Sequence, residues 1–115
     1  MSDKNTNIEF LKNKIDDFIN EREWKQFHSP KNLSMSISIE ASELMEIFQW
    51  SSLNDSENIM KTKDLRQHAV EEVADILIYS IAFCNHNNID ISEAILQKIK
   101  KNIEKYPVSK YKGKF

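Results

Sequence analysis

Glycine, proline and cysteine are scarce in this sequence of 115 residues, and each scarcity excludes a class of structure. The chain has one glycine, Gly113, and two prolines, whereas the tight turns of β-hairpins favour glycine. The composition therefore predicts an all-α fold. The single cysteine, Cys84, excludes an intramolecular disulfide and favours a reducing compartment.

Long apolar runs and a strong net charge are also missing. No apolar stretch approaches the roughly 20 residues that span a bilayer, and the first residues lack the apolar segment of a secretory signal. The formal net charge of -2 gives no overall field that would attract a nucleic acid polymer or an anionic membrane. We therefore expect a single cytoplasmic domain over residues 1–115, with neither of these as its partner.

Apolar residues recur every three or four positions over four segments, a pattern that predicts four helices in a bundle-type fold. The predicted helices cover residues 6–22, 32–50, 62–87 and 90–106. Asn32 and Asp90 are the expected N-caps of the second and fourth helices. The fourth helix is expected to pack inward through Ile91, Ile95, Ile99 and Ile103. Residues 24–30 and 51–58 are predicted as loops, and residues 107–115 as a mobile basic tail.

Two acid pairs stand out on the second and third predicted helices. Glu40 and Glu43 lie three residues apart, as do Glu72 and Asp75, so each pair projects from one helix face. Apolar residues flank both pairs. Four carboxylates brought together without a cation would repel one another, and Mg²⁺ or Mn²⁺, which prefer oxygen ligands, would remove that repulsion. The alternative is that the acids face solvent on amphipathic helices.

Two other kinds of metal centre fit the sequence poorly. A di-iron carboxylate bundle needs Glu-x-x-His, and none of His28, His68 and His86 follows a glutamate by three residues. Zinc would need a cluster of cysteine and histidine. An oxygen-ligated Mg²⁺ commonly meets substrate phosphates, which makes a phosphorylated substrate the natural expectation.

Aromatic and polar residues near these pairs suggest what the phosphates belong to. Trp24, Trp50 and Tyr79 could stack on a flat base, although core packing explains each of them equally well. His28 could bond a base edge or fix its own loop. Lys98 and Asn102 share a polar stripe that could face phosphates, and a solvated helix face is the alternative.

Taken together, these segments resemble the MazG-like all-α nucleoside triphosphate pyrophosphohydrolase superfamily, and within it the dCTP pyrophosphatases. The matching segments are residues 22–33, 40–50, 71–79 and 98–107. The resemblance runs over about residues 8–112. Lys105 departs from it, because that group is richer in arginine there, and lysine lacks the bidentate fork that binds phosphate.

The resemblance implies Mg²⁺-dependent hydrolysis of a nucleoside triphosphate, dCTP or a modified dCTP above all, to the monophosphate and pyrophosphate, for sanitation of the nucleotide pool. It implies metal ligands at Glu40, Glu43, Glu72 and Asp75, of which Glu43 or Glu72 would also be the catalytic base. The implied substrate-binding residues are Trp24, Phe27, His28, Trp50, Tyr79, Lys98 and Asn102. It further implies a homotetramer of paired dimers, with each pocket partly completed by a neighbouring subunit.

A second hypothesis belongs to a different class of function. The same residues would suit a metal-stabilised helical module that binds or regulates a partner without turnover. The two hypotheses differ in whether pyrophosphate is released from a nucleoside triphosphate.

Overall fold

Helices are the regular secondary structure of the described residues. The structure is a computed structural model that describes residues 1–114, and this part of the chain has helices but no strand. The α-helices are α1 Ile8–Glu21, α2 Pro30–Phe48, α3 Leu53–Ile59, α4 Lys63–His86, α5 Ile91–Lys105 and α6 Val108–Tyr111, and a 3-10 helix, Trp24–Phe27, separates α1 from α2. The all-α prediction is confirmed. Within residues 1–114, none of the helices combines the length and apolar character that crossing a membrane requires.

The ends of the long helices show which capping predictions hold. Helices α1, α4 and α5 lie within two residues of their predicted bounds, and Asp90 caps α5 by accepting the Glu93 N–H at 2.8 Å. Asn32, however, is not the N-cap of α2, and that prediction is wrong. Ser29 Oγ accepts the Asn32 N–H at 3.0 Å, and Pro30 takes the first helical position. Proline suits that position because its missing N–H would have no partner there.

Two short helices make the predicted count of four incomplete. Helix α3 lies in the segment predicted as a polar loop, and Ser52 Oγ caps it by accepting the Asp55 N–H at 3.2 Å. Seven residues are too few to show an apolar period. Helix α6 is a single turn within the predicted tail. The mobility of that tail stays a prediction.

Helix α4 is the element against which α1 and α2 pack. The α2–α4 pair makes most of the tertiary contacts, and α1 lies against α4. Ile19, Leu33 and Ala82, one from each helix, form the buried cluster at this junction. The packing of α2 on α4 brings the two acid pairs to one surface.

Most of helix α5 does not pack inward, which corrects the prediction made for Ile95, Ile99 and Ile103, whereas Ile91 is half-buried. Ile95, Ile99 and Ile103 are 54%, 49% and 65% exposed. The radius of gyration is 17.2 Å, against about 13 Å for a compact chain of this length. The accessible surface is 9491 Å², against about 6,500 Å² for a monomer of this mass. The single chain is therefore extended and leaves the apolar side of α5 uncovered.

Candidate active site

Three carboxylates from α2 and α4 meet in one cluster. One oxygen from each of Glu40, Glu43 and Glu72 can be chosen so that all three lie within 4.8 Å of one another. Glu72 is buried and Glu40 is half-buried. Asp75, the fourth predicted ligand, lies outside this group of three. Its negative charge nevertheless contributes to the raised pKa of Glu40. We call Glu40, Glu43 and Glu72 the acidic cluster.

The acidic cluster has the electrostatics of a site that needs a cation. The pKa of Glu40 is raised from 4.5 to about 7, above all by burial, and also by hydrogen bonding to Glu43 and Glu72 and by the charges of Glu43 and Asp75. Glu40 Oε2 and Glu72 Oε2 are buried without a hydrogen-bond partner among the described residues. Carboxylate oxygens buried in this way are unfavourable unless a positive group compensates for the lost hydration. A hard divalent ion fits this set of donors, which are all oxygen.

A groove opens on one side of the acidic cluster. Its volume is about 500 Å³, and it is lined by Glu43, Glu46, Ile47, Leu65, His68 and Glu72. His68 Nε2 lies 3.3 Å from Glu72 Oε1, one helical turn further along α4. The sequence places His68 on the same stripe as Glu72, Asp75 and Tyr79, but it does not show that the imidazole meets the carboxylate.

A second cleft, smaller and more apolar, lies beside Asp75, and we call it the aromatic cleft. Its volume is about 240 Å³, and its lining consists of Phe18, Ile19, Trp24, His28, Asp75, Ile78, Tyr79 and Ala82. Three of the predicted base-binding residues, Trp24, His28 and Tyr79, therefore share one cavity. Its aromatic lining is suited to stacking on a flat ring.

Phe18 forms part of this cleft, although its position in the sequence marks it only as one of the apolar residues of the first predicted helix. Its ring meets that of Trp24 edge-on, with 5.7 Å between centroids and an interplanar angle of 83°. The sequence signal for this contact is that two large aromatic residues, Phe18 and Trp24, lie on either side of the end of α1. Periodicity alone could not show that the chain turns back there.

The turn that brings Trp24 over α1 is made by Glu23. Its backbone is left-handed, with φ 55° and ψ 34°, a conformation that is unfavourable for a residue with a side chain. Two bonds hold the ends of the turn: Arg22 Nη1 donates to the Phe18 carbonyl at 2.9 Å, and the His28 N–H donates to the Lys25 carbonyl at 3.1 Å. The contact between Phe18 and Trp24 joins the 3-10 helix to the end of α1.

His28 enters the aromatic cleft from the end of this turn. Burial lowers the pKa of His28 below its ordinary value of 6.5, and the nearby charge of His86 lowers it further. The imidazole is therefore neutral at neutral pH. A neutral imidazole has one nitrogen that donates and one that accepts a hydrogen bond, which suits the edge of a base.

Comparison with known proteins shows which family the chain is similar to. The model of the MazG-like family matches residues 35–114. The dCTP pyrophosphatase 1 of Mus musculus is 36% identical over 99 residues, which cover 84% of this chain and 57% of the mouse protein. The dCTP pyrophosphatase 1 of Homo sapiens is 38% identical over 93 residues, or 79% of this chain and 54% of the human protein. The chain thus spans little more than half the length of these curated relatives.

A solved structure extends the likeness to the fold. A pyrophosphatase from Archaeoglobus fulgidus, known from its crystal structure, aligns with a TM-score of 0.83 and 37% sequence identity over 93% of this chain and 98% of that chain. The chain belongs to the MazG-like family. The family resemblance predicted from the acid pairs and the aromatic segment is confirmed.

Four of the residues predicted to bind substrate in this MazG-like protein line neither the groove nor the aromatic cleft. Phe27 is 63% exposed and Trp50 is 91% exposed. Lys98 and Asn102 lie on α5, which makes few contacts with the other helices. Their roles stay predictions, and within a single chain they have no place in the site.

Proposed function

We propose that this MazG-like protein hydrolyses a nucleoside triphosphate between its α and β phosphates, releasing a nucleoside monophosphate and pyrophosphate. The observation that carries the proposal is the position of Asp75. This residue lines the aromatic cleft, and it is near enough to the acidic cluster for its charge to raise the pKa of Glu40. A nucleoside in the cleft would therefore direct its phosphates toward the carboxylates. The names of the relatives, a dCTP pyrophosphatase and a pyrophosphatase, support the same class of reaction.

The acidic cluster and Asp75 would hold Mg²⁺, for which Mn²⁺ could substitute. The ion would neutralise charge on the phosphates and lower the pKa of a water molecule. The buried oxygens Glu40 Oε2 and Glu72 Oε2 support this assignment, because a divalent ion would supply the partner that each of them needs.

The protein's own residues would divide the remaining work between binding and proton transfer. Trp24 and Tyr79 would hold the base, and His28 would bond its edge. Glu43 or Glu72 would accept the proton of the attacking water at a carboxylate oxygen. The water oxygen bonds to the α phosphorus while the bond to the bridging oxygen breaks, and that oxygen leaves with pyrophosphate.

The preferred substrate would be dCTP or a modified dCTP, and the role would be sanitation of the nucleotide pool in the cytoplasm. The relatives named dCTP pyrophosphatase 1 support this substrate.

We also propose that the working form is a homotetramer, built as paired dimers. The accessible surface exceeds the value for a monomer of this mass by about 3,000 Å², whereas a standard interface covers about 800 Å² of each partner. The exposed isoleucines of α5 supply apolar area for such contacts. If a neighbouring copy covered α5, then Trp50, Lys98 and Asn102 could contribute to the active site of that copy.

Product analysis with a panel of triphosphates tests the proposed reaction. The protein is incubated with dCTP, a modified dCTP, dUTP and the other common triphosphates in the presence of Mg²⁺ or Mn²⁺, and nucleotide products are separated by chromatography. We expect a monophosphate and pyrophosphate in equal amounts. Release of inorganic phosphate and a diphosphate would contradict the cleavage position.

Two variants separate catalysis from a binding role. Glu43→Gln should abolish pyrophosphate release while the helical circular dichroism signal remains, whereas Glu71→Gln, a neighbouring acid outside the cluster, should be as active as the wild type. If the folded wild type hydrolyses no triphosphate but is stabilised by Mg²⁺ or Mn²⁺, the result supports the hypothesis of a non-catalytic, metal-stabilised module and contradicts the hydrolase.

A further inference from the structure

His68 contacts the buried acid of the acidic cluster from the groove side. Its Nε2 atom lies 3.3 Å from Glu72 Oε1, and the side chains of His68 and Glu72 are 54% and 11% exposed. The two atoms are within the distance of an ion pair, and an imidazole nitrogen that carries a hydrogen can donate it to a carboxylate oxygen, which accepts. A half-exposed ring therefore contacts a nearly buried carboxylate.

The two oxygens of Glu72 have different surroundings, because His68 contacts only one of them. Oε1 faces His68, whereas Oε2 is buried without a hydrogen-bond partner among the described residues. A carboxylate that contacts a neighbouring side chain through one oxygen rotates less freely, which restricts the direction of its other oxygen. Hydrogen bonds from outer groups commonly orient the carboxylates that bind a metal, and their loss weakens metal binding about 10–100-fold.

We propose that His68 is a positioning residue, which holds Glu72 through Oε1 and so keeps Oε2 available to a divalent cation. The inference rests on the metal site of the proposed function, but it does not require turnover. His68 is assigned no contact with the nucleotide or with the reacting atoms.

The chain contains a matched pair that serves as the control. Gln67 Nε2 donates to Glu71 Oε1 at 3.3 Å, with the same spacing of four residues along α4, but both side chains are exposed. Glu71 lies outside the acidic cluster. The pair also shows that a glutamine on this helix can reach a glutamate one turn further on. His68→Gln should therefore keep a donor for Glu72, whereas His68→Leu removes it.

Mn²⁺ binding to the nucleotide-free protein is the direct measurement. The free Mn²⁺ signal in electron paramagnetic resonance gives the dissociation constant without any turnover. We expect His68→Leu to raise the Mn²⁺ dissociation constant about 10–100-fold. His68→Gln should restore most of the affinity, and Gln67→Leu should bind Mn²⁺ like the wild type.

Wild-type Mn²⁺ affinity in His68→Leu overturns the proposal, as does a loss in His68→Gln that equals the loss in His68→Leu. Thermal unfolding in chelator shows whether each variant is folded, and His68→Ala replaces a leucine variant that is not. If Mn²⁺ binding depends on His68 in a protein that hydrolyses no triphosphate, the positioning role stands and only the proposed hydrolase fails. If the wild type binds no Mn²⁺, the metal site and the positioning role both fail.

Discussion

The guanidinium carbon of Arg22 lies 3.8 Å from the centre of the Phe18 ring. The same side chain donates to the Phe18 carbonyl, and the Phe18 ring in turn supports the edge of Trp24 in the aromatic cleft. Arg22 thus supports one wall of the cleft through its contacts with Phe18, although Arg22 itself does not line the cleft. A cation over an aromatic ring at an exposed site contributes about 0.5–1 kcal/mol.

Removing the contact between Arg22 and Phe18 should weaken substrate binding more than it slows catalysis. We expect Arg22→Leu to raise the KM for the preferred triphosphate about two- to fivefold, with kcat little changed. Lys14→Leu is the control, because Lys14 Nζ lies 5.6 Å from the Phe10 ring in a similar contact on α1 that lines no part of the cleft. Steady-state pyrophosphate release measures both constants. A fall in kcat at constant KM would place Arg22 among the groups that act on the reaction itself.

The raised pKa of Glu40 predicts a pH dependence of metal binding. Because this pKa is about 7 in the folded protein and 4.5 ordinarily, Glu40 is partly protonated at neutral pH and must lose that proton to bind a cation. Mn²⁺ affinity should therefore rise with pH through 7, and binding at pH 7 should release protons. Calorimetry in two buffers of different ionisation enthalpy detects the release. Glu40→Gln should bind Mn²⁺ more weakly and with less proton release, and equal release by variant and wild type would contradict the assignment.

The same shift predicts the effect of pH on the metal-free fold. A folded-state pKa above the unfolded one means that the stability contributed by Glu40 is present below pH 4.5 and is lost as the pH rises through about 7. Urea unfolding in chelator should show this decline, and Glu40→Gln should reduce it. Saturating Mn²⁺ should reverse it, because the ion favours the ionised form.

His28 should act on stability in the opposite direction. Its pKa is lowered in the folded protein by burial and by the charge of His86, so its contribution is present above pH 6.5 and is lost as the pH falls through its folded pKa. The NMR titration of its ring protons should give a pKa below 6.5, and His86→Gln should raise that value. In urea unfolding, His28→Asn should flatten the loss of stability on the acid side. An unchanged slope in that variant would show that another group is responsible.

The exposed face of α5 predicts association. Sedimentation velocity should show the wild type as a species larger than 13.5 kDa. Replacing Ile95 and Ile99 together by aspartate should shift it toward the monomer, because charges would be buried in the interface. Lys101→Asp, which changes the charge on the opposite side of the helix, should not. Dissociation by Lys101→Asp alone, or a wild type that is monomeric, would contradict the proposed tetramer.

The long helices and the acid pairs could be predicted because both depend on spacing along a helix. The bounds of α1, α4 and α5 follow from apolar periodicity and local capping. The convergence of Glu40, Glu43 and Glu72 follows from acids three residues apart on two helices that must pack together. Asp75 shows the limit of this reasoning, because small rotations of α4 decide which of its acids join the cluster.

Other features depend on information that spacing does not contain. Periodicity shows that α5 has an apolar side, but it cannot show whether that side meets its own chain or another. The aromatic cleft depends on the left-handed backbone of Glu23, which no residue preference would indicate. The approach of His68 to Glu72 depends on a side-chain rotamer. Trp50 looks like a cleft residue from its sequence position, yet it is almost fully exposed.

The aromatic cleft has two walls that come from different parts of the chain. Phe18, Ile19, Trp24 and His28 form one wall, and the other is the stretch of α4 that begins at Asp75, one turn after Glu72. The carboxylates Glu40, Glu43, Glu72 and Asp75 all lie on α2 and α4, so the first wall carries none of them. For the proposed function, mutations that change base selectivity without altering the carboxylates are therefore expected within the first 28 residues, where a library of variants leaves the acidic cluster unchanged.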